Sequence, residues 1–194
     1  MAKQLWKAGT MIYPLPAAMV SCGDSVENYN IITVSWIGTV CSEPPMCSIS
    51  VRKSRHSHQL IERTREFVIN LTTVELAKAT DWCGVKSGKD FHKFKEMHLT
   101  AEEAHFVSAP MIAESPVNIE CRVTEIKELG SHDMFLAEVL AVHADQKYIH
   151  PETGAFDMEQ ADLLAYSHGN YYALGKKLGH FGFSVKKKNK KEKQ

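Results

Sequence analysis

A run of β-branched residues between Asn30 and Val40 constrains this chain more than any other stretch. Ile31, Ile32, Thr33, Val34, Ile37, Thr39 and Val40 crowd it, and side chains branched at Cβ suit a pleated strand better than a helix. Ser35, Trp36 and Gly38 interrupt it; a glycine inside a strand marks a bulge or a place where a ligand approaches the backbone. Pro44-Pro45 removes two backbone donors, which predicts an end to sheet pairing. Met46 to Val51 predicts a second strand, leading into Arg52-Lys53-Ser54-Arg55-His56-Ser57-His58. On spacing alone the order fits two core strands with a solvated basic turn better than the other reading it allows, an aromatic wall followed by an anion cradle.

The remaining segments extend the pattern. Ala17 to Ser21 predicts a short strand, His58 to Thr64 a short helix, and Glu66 to Leu71 another strand. Thr72-x-x-Glu75 has the form of a capping box and predicts a helix from about Thr73 to Trp82, ended by Gly84 to Gly88. Val117 to Thr124 alternates apolar and polar residues, Ile126 breaks that phase and suggests a bulge, and Gly130-Ser131-His132-Asp133 is a turn before a strand from Met134 to Val142. That last strand is apolar on both faces, which suggests a central position or a face given to a subunit interface. Strand–turn–strand with short helices between reads as a mainly β chain, an antiparallel β-barrel with helical insertions, and not as a doubly wound sheet. The C-terminal aromatics and glycines, from Tyr166 to Phe183, fit either a ligand cover or the closure of a barrel end.

Charge and cysteine content narrow the setting. The net charge of zero is unevenly placed: Lys186 to Gln194 holds six lysines and one glutamate, +5, which leaves about −5 on the rest. This predicts one domain over residues 1–184 and a Lys-rich, solvated tail over 185–194. A basic tail on an acidic body argues against a nucleic-acid surface. No apolar run of about 18 residues occurs, so no transmembrane helix and no membrane partner are expected. The opening residues show no secretory leader pattern, and five scattered cysteines without C-x-x-C suit reduced thiols. A cytoplasmic location is the expectation.

The common catalytic signatures are missing: no G-x-S-x-G elbow and no G-x-x-x-x-G-K-[ST] loop. His56-Ser57-His58 is the one H-x-H, and no metal is expected from it. Trp36 offers a flat face; the charged and hydroxyl residues after Arg52, with the N-terminus of the helix near His58, offer an anion site. A flat ring beside a phosphate cradle is what a mononucleotide cofactor such as FMN requires.

The chain resembles the flavin reductase-like proteins of the FMN-binding split-barrel superfamily, most closely the flavoredoxin branch. The residues that carry the resemblance are Asn30-x-x-Thr33-x-Ser35-Trp36, Ser42-Glu43-Pro44-Pro45, Ser50 to Ser57, Glu66 to Leu71, Lys93-Phe94, Gly130-Ser131-His132 and Leu178-Gly179-His180-Phe181-Gly182. It implies a Greek-key antiparallel split barrel of six strands, homodimeric, with FMN near the subunit interface. By the same resemblance Asn30, Trp36 and Thr39 line the ring and ribityl chain. Arg52, Lys53, Ser54 and Ser57 grip the phosphate with Lys93 as a further cation, and Tyr166 covers the ring. His132 stands where the family's G-D-H signature places a histidine near flavin and nicotinamide, and is the candidate catalytic residue. Here Ser131 replaces the aspartate, which puts direct use of NADH or NADPH in question but not flavin binding. The implied function is an FMN-dependent oxidoreductase passing electrons from NAD(P)H or another donor to an acceptor, a redox protein or free flavin. The alternative is a flavin carrier or sensor without NAD(P)H turnover.

Overall fold

A computed structural model describes residues 1–185; the Lys-rich tail inferred from the sequence lies outside the described residues. Twelve strands and three helices follow in chain order: β1 (Leu15–Pro16), β2 (Ala18–Cys22), β3 (Asn30–Val34), β4 (Ile37–Ser42), β5 (Pro45–Val51), α1 (His56–Thr64), β6 (Glu66–Leu71), α2 (Ala77–Val85), α3 (Lys93–Glu96), β7 (Ala101–Glu102), β8 (Met111–Ile112), β9 (Val117–Glu128), β10 (Asp133–Ala144), β11 (Leu164–Ser167) and β12 (Asn170–Ala173). None of these helices is long and apolar enough to cross a membrane.

The main sheet is antiparallel with seven strands in the order β3-β2-β6-β9-β10-β5-β4. Its two edge strands are consecutive in sequence, separated only by the bend Ser35-Trp36. Seven strands laid flat would span about 29 Å at ~4.8 Å spacing. The chain from Val34 to Ile37 reaches at most roughly 11 Å. The sheet must therefore curl until its edges nearly meet, and the result is a split barrel whose seam runs beside Trp36. The expected single strand from Asn30 to Val40 is thus two strands, and the expected six-stranded sheet has seven.

Several local expectations change for physical reasons. Pro45 does not end sheet pairing; it opens β5 opposite Ser42, with Glu43-Pro44 as the hairpin turn. The missing proline N–H costs little at the first residue of a strand. The capping box does not form, because the hydroxyl of buried Thr72 donates to the carbonyl of Ala17 instead. Helix α2 starts at Ala77 and runs through Gly84 to Val85. β6 keeps its expected bounds. β9 and β10 slip register between Leu136 and Ala137, opposite the segment where a bulge was expected.

Two apolar layers explain why a strand such as β2 is buried on both faces. Val20, Ile32, Ile49, Val51, Phe67, Ile69, Val123 and Phe135 fill the barrel. Met19 and Ile31, pointing the other way, pack under α2 and α3 against Leu76, Ala79, Cys83 and Phe94. A small second sheet, β1-β11-β12, brings Tyr166 and Tyr171 over the seam.

Candidate functional site

Two connected cavities open along the seam. The larger, about 300 Å³, is lined by Thr33, Ser35, Trp36, Arg52, Asp81, His132, Tyr166 and Tyr171. The smaller, about 140 Å³, is lined by Asn30, Ser54, His56, Ser57, Lys86, Gly88 and Lys93. Ile32, Arg55 and Gly84 line both, so the two form one continuous groove.

The larger cavity is aromatic. The Trp36 and His132 rings are nearly parallel, 5° apart in plane with centroids 6.4 Å apart. Tyr166 stands 6.5 Å from Trp36 and 5.9 Å from Tyr171. Burial holds the His132 imidazole below its ordinary pKa, and the positive charge of Arg52 adds to that. His132 is therefore neutral at pH 7, and its Nδ1 is 2.8 Å from the Ser131 hydroxyl. Tyr171 is pushed up to about 12 by burial first and by Asp81 second.

The smaller cavity is cationic. Its floor is the N-terminus of α1, which carries no acidic residue in its first turn and has Arg55 at the N-cap without a side-chain cap. Free N–H groups and the positive end of the helix dipole face the cavity, as an anion requires. Lys93 is 3 % exposed and donates to the carbonyls of Ile31 and Cys83, both at 2.6 Å; an ammonium has a third N–H to offer. Burial pulls its pKa down to about 8, partly opposed by the Cys83 and Cys22 thiols and assisted by Arg55. Burial likewise drives Cys22 up to about 12 and Cys83 up to about 11, so both thiols stay protonated.

Two buried polar atoms here have no hydrogen-bond partner among the described residues: Asn30 Oδ1 and His56 Nδ1. Orphaned buried acceptors and donors are costly unless a ligand completes them. Asn30 is fixed by donating its Nδ2 to Ser57 Oγ at 2.7 Å, which leaves Oδ1 for a hydroxyl donor. A Cβ added at Gly88 would come within 2.1 Å of that oxygen. Gly88 thus packs directly on Asn30, whereas a Cβ at Gly38 would meet open space, and β4 slips register against β5 just beyond it, between Thr39 and Cys41.

The groove brings together Asn30, Trp36, Arg52, Ser54, Ser57, Lys93, His132 and Tyr166. It does not bring Lys53 or Thr39. Lys53 turns the other way, pairing with Glu128 at 2.6 Å and Asp133 at 3.6 Å. Thr39 is exposed on β4, beyond the groove. Arg52 lines the aromatic cavity rather than the cationic one, and Arg55 at the helix N-cap stands where both meet. His58 is committed elsewhere, 2.8 Å from Asp133 across the barrel wall. Asp81, Gly84, Lys86 and Gly88 were not singled out as site residues by sequence reasoning, the hint being the glycines that follow the helix, and Tyr171 was covered only by the general reading of the C-terminal aromatics as a ligand cover or a barrel end.

Comparison with known proteins places these features. The model of the flavin reductase like domain matches residues 10–175. An uncharacterised protein of Archaeoglobus fulgidus is 35% identical over 135 residues, covering 69% of this chain and 75% of that one. The flavoredoxin of Desulfovibrio vulgaris (Miyazaki F) superposes with a TM-score of 0.87 at 28% identity, over 95% of this chain and 99% of that one. Flavoredoxin from Methanosarcina acetivorans gives 0.85 at 26% identity, over 95% and 100%.

Proposed function

From the premise that this chain belongs to the flavin reductase-like family, we propose that it is an FMN-dependent oxidoreductase. The observation that carries this reading is the continuous groove: aromatic at one end and cationic at the other, with the unpartnered Asn30 Oδ1 at the cationic end. FMN likewise has a flat ring at one end and a single phosphate at the other, joined by a polyol. One helix N-terminus with Arg55, Ser54 and Lys93 suits one phosphate group.

When bound, FMN supplies hydride and electron transfer. The chain supplies the rest. Trp36, Tyr166 and His132 hold and screen a flat ring, Asn30 Oδ1 accepts from a ribityl hydroxyl, and the first turn of α1 takes the phosphate. His132, kept neutral and tied to Ser131, orients a donor or tunes the ring through one hydrogen bond.

The electron donor is NADH or NADPH in this reading, and the acceptor a redox protein or free flavin. A second reading, a flavin carrier without NAD(P)H turnover, rests on Ser131 at the position of the family's aspartate. A homodimer belongs to the proposal as well. It is supported by Val142, 61% exposed on β10, and by an apolar groove of about 320 Å³ lined by Leu15, Leu71, Leu163, Leu164 and Leu174.

The test is the absorption spectrum of purified protein reconstituted with FMN, followed anaerobically with NADH and then NADPH. Flavin bands that bleach with one nucleotide support the reductase and name its donor. Bands that persist favour the carrier, and failure to retain FMN overturns both.

A further inference from the structure

A second group of reactive side chains lies towards the far end of β10, ten residues along the strand from Asp133, and none of its members lines the groove. Glu120, on β9, is fully buried. Its Oε1 accepts the His105 N–H at 2.8 Å and lies 2.6 Å from His143 Nε2. Its Oε2 accepts the N–H groups of Phe106 at 2.6 Å and Val107 at 3.1 Å. The His105 and His143 rings face each other with centroids 5.6 Å apart. One ligand atom from each of His105, Glu120 and His143 lies within 4.8 Å of the other two.

The electrostatics of this group are unusual. Both carboxylate oxygens of Glu120 are taken up by hydrogen bonds, Oε1 by the His105 N–H and the His143 ring and Oε2 by the N–H groups of Phe106 and Val107. The anion is thus kept without a lysine or arginine on it: Arg122, the nearby guanidinium, donates to the Phe106 carbonyl at 2.9 Å and reaches Glu66 at 3.5 Å. A buried charge without a strong counter-charge is costly. The ring of His105 is exposed and makes no hydrogen bond among the described residues. Three successive backbone amides meanwhile orient the carboxylate, as outer-shell donors do around metal ligands.

We propose that His105, Glu120 and His143 form a site for a divalent transition-metal ion of the zinc type. Two imidazole nitrogens and one carboxylate oxygen match that class, and leave a fourth position for water. His143 would ligate through Nε2, carrying its N–H on Nδ1 instead of donating it to Glu120. The ion would also tie the loop between β7 and β8 to the sheet. The sequence offers no spacing signal for this site, because its members sit at 105, 120 and 143.

The experiment uses the full chain stripped by a chelator and titrated calorimetrically with Zn²⁺, then with Co²⁺ to read ligand geometry from its visible spectrum. One ion per chain is expected, with a tetrahedral Co²⁺ spectrum and a higher melting temperature. His105→Ala, at an exposed loop position, should lose at least about tenfold in affinity while melting like the metal-free parent; His143→Ala should do the same to affinity. No Zn²⁺ uptake, uptake unchanged in both variants, or equal affinity for Mg²⁺ would overturn the proposal. FMN uptake, measured in parallel, reads the groove separately.

Discussion

Asn30 and Ser57 are 27 residues apart in sequence, and the Asn30 amide donates to the Ser57 hydroxyl at 2.7 Å. That bond joins the start of β3 to the first turn of α1. It holds the Asn30 side chain against the helix N-terminus, with the orphaned Asn30 Oδ1 at the cationic end of the groove. Asn30→Ala should weaken FMN binding by about tenfold, one hydrogen bond to a ligand plus the loss of a fixed Ser57. Flavin fluorescence titration measures it.

Lys93 predicts a pH dependence. Its folded pKa is drawn down to about 8, so its charge is full below that value and lost as pH rises through it. A phosphate favours the charged form, and the facing thiols of Cys22 and Cys83 remain neutral at that pH. FMN affinity should therefore fall between about pH 7.5 and pH 9, and Lys93→Met should remove that step. Titrating FMN across this range, in the parent and in Lys93→Met, checks it.

Lys53 and Arg55 predict opposite outcomes for similar substitutions. Lys53→Glu breaks an exposed, solvent-screened pair with Glu128 outside the groove and should leave FMN affinity nearly unchanged. Arg55→Glu puts an anion at the mouth of the cradle and should cost at least about tenfold in affinity. Equal losses would place the phosphate at the Lys53 turn instead.

Gly88→Ala should reduce FMN uptake, since the new methyl would fall 2.1 Å from the Asn30 side-chain oxygen. Gly38→Ala, with open space around its Cβ, serves as the control and should bind FMN as the parent does. Retained flavin after dialysis compares the two.

For the barrel itself, Phe67→Ala should destabilise by about 3–5 kcal/mol. The ring is fully buried among Val20, Ile69 and Phe135, where the cavity cannot fill with water cheaply. Chemical denaturation of the metal-free, FMN-free protein measures this.

Much of the local structure is legible in the residues. β6 is alternation and β-branching with clear ends, and α1 follows its expected bounds within two residues. The turn at Gly130 to His132 is glycine chemistry. The aromatic and cationic ends of the groove are recognisable too, through Trp36 and the run after Arg52.

The choice between neighbours is not legible. Near a strand end, one position decides whether a side chain faces the cleft or solvent, and composition does not record that phase. Lys53 and Arg55 read alike in sequence and part company only when the chain leaves β5. The union of β3 and β4 at the seam is likewise a consequence of strand order, which no local propensity encodes. The sequence by itself determined the pleated strands and the presence of a flat-ring-and-anion pattern, because these follow from side-chain shape and charge. The tertiary structure alone decided which residues share the groove, and which histidines meet Glu120, because curling the sheet fixes distances between positions tens of residues apart.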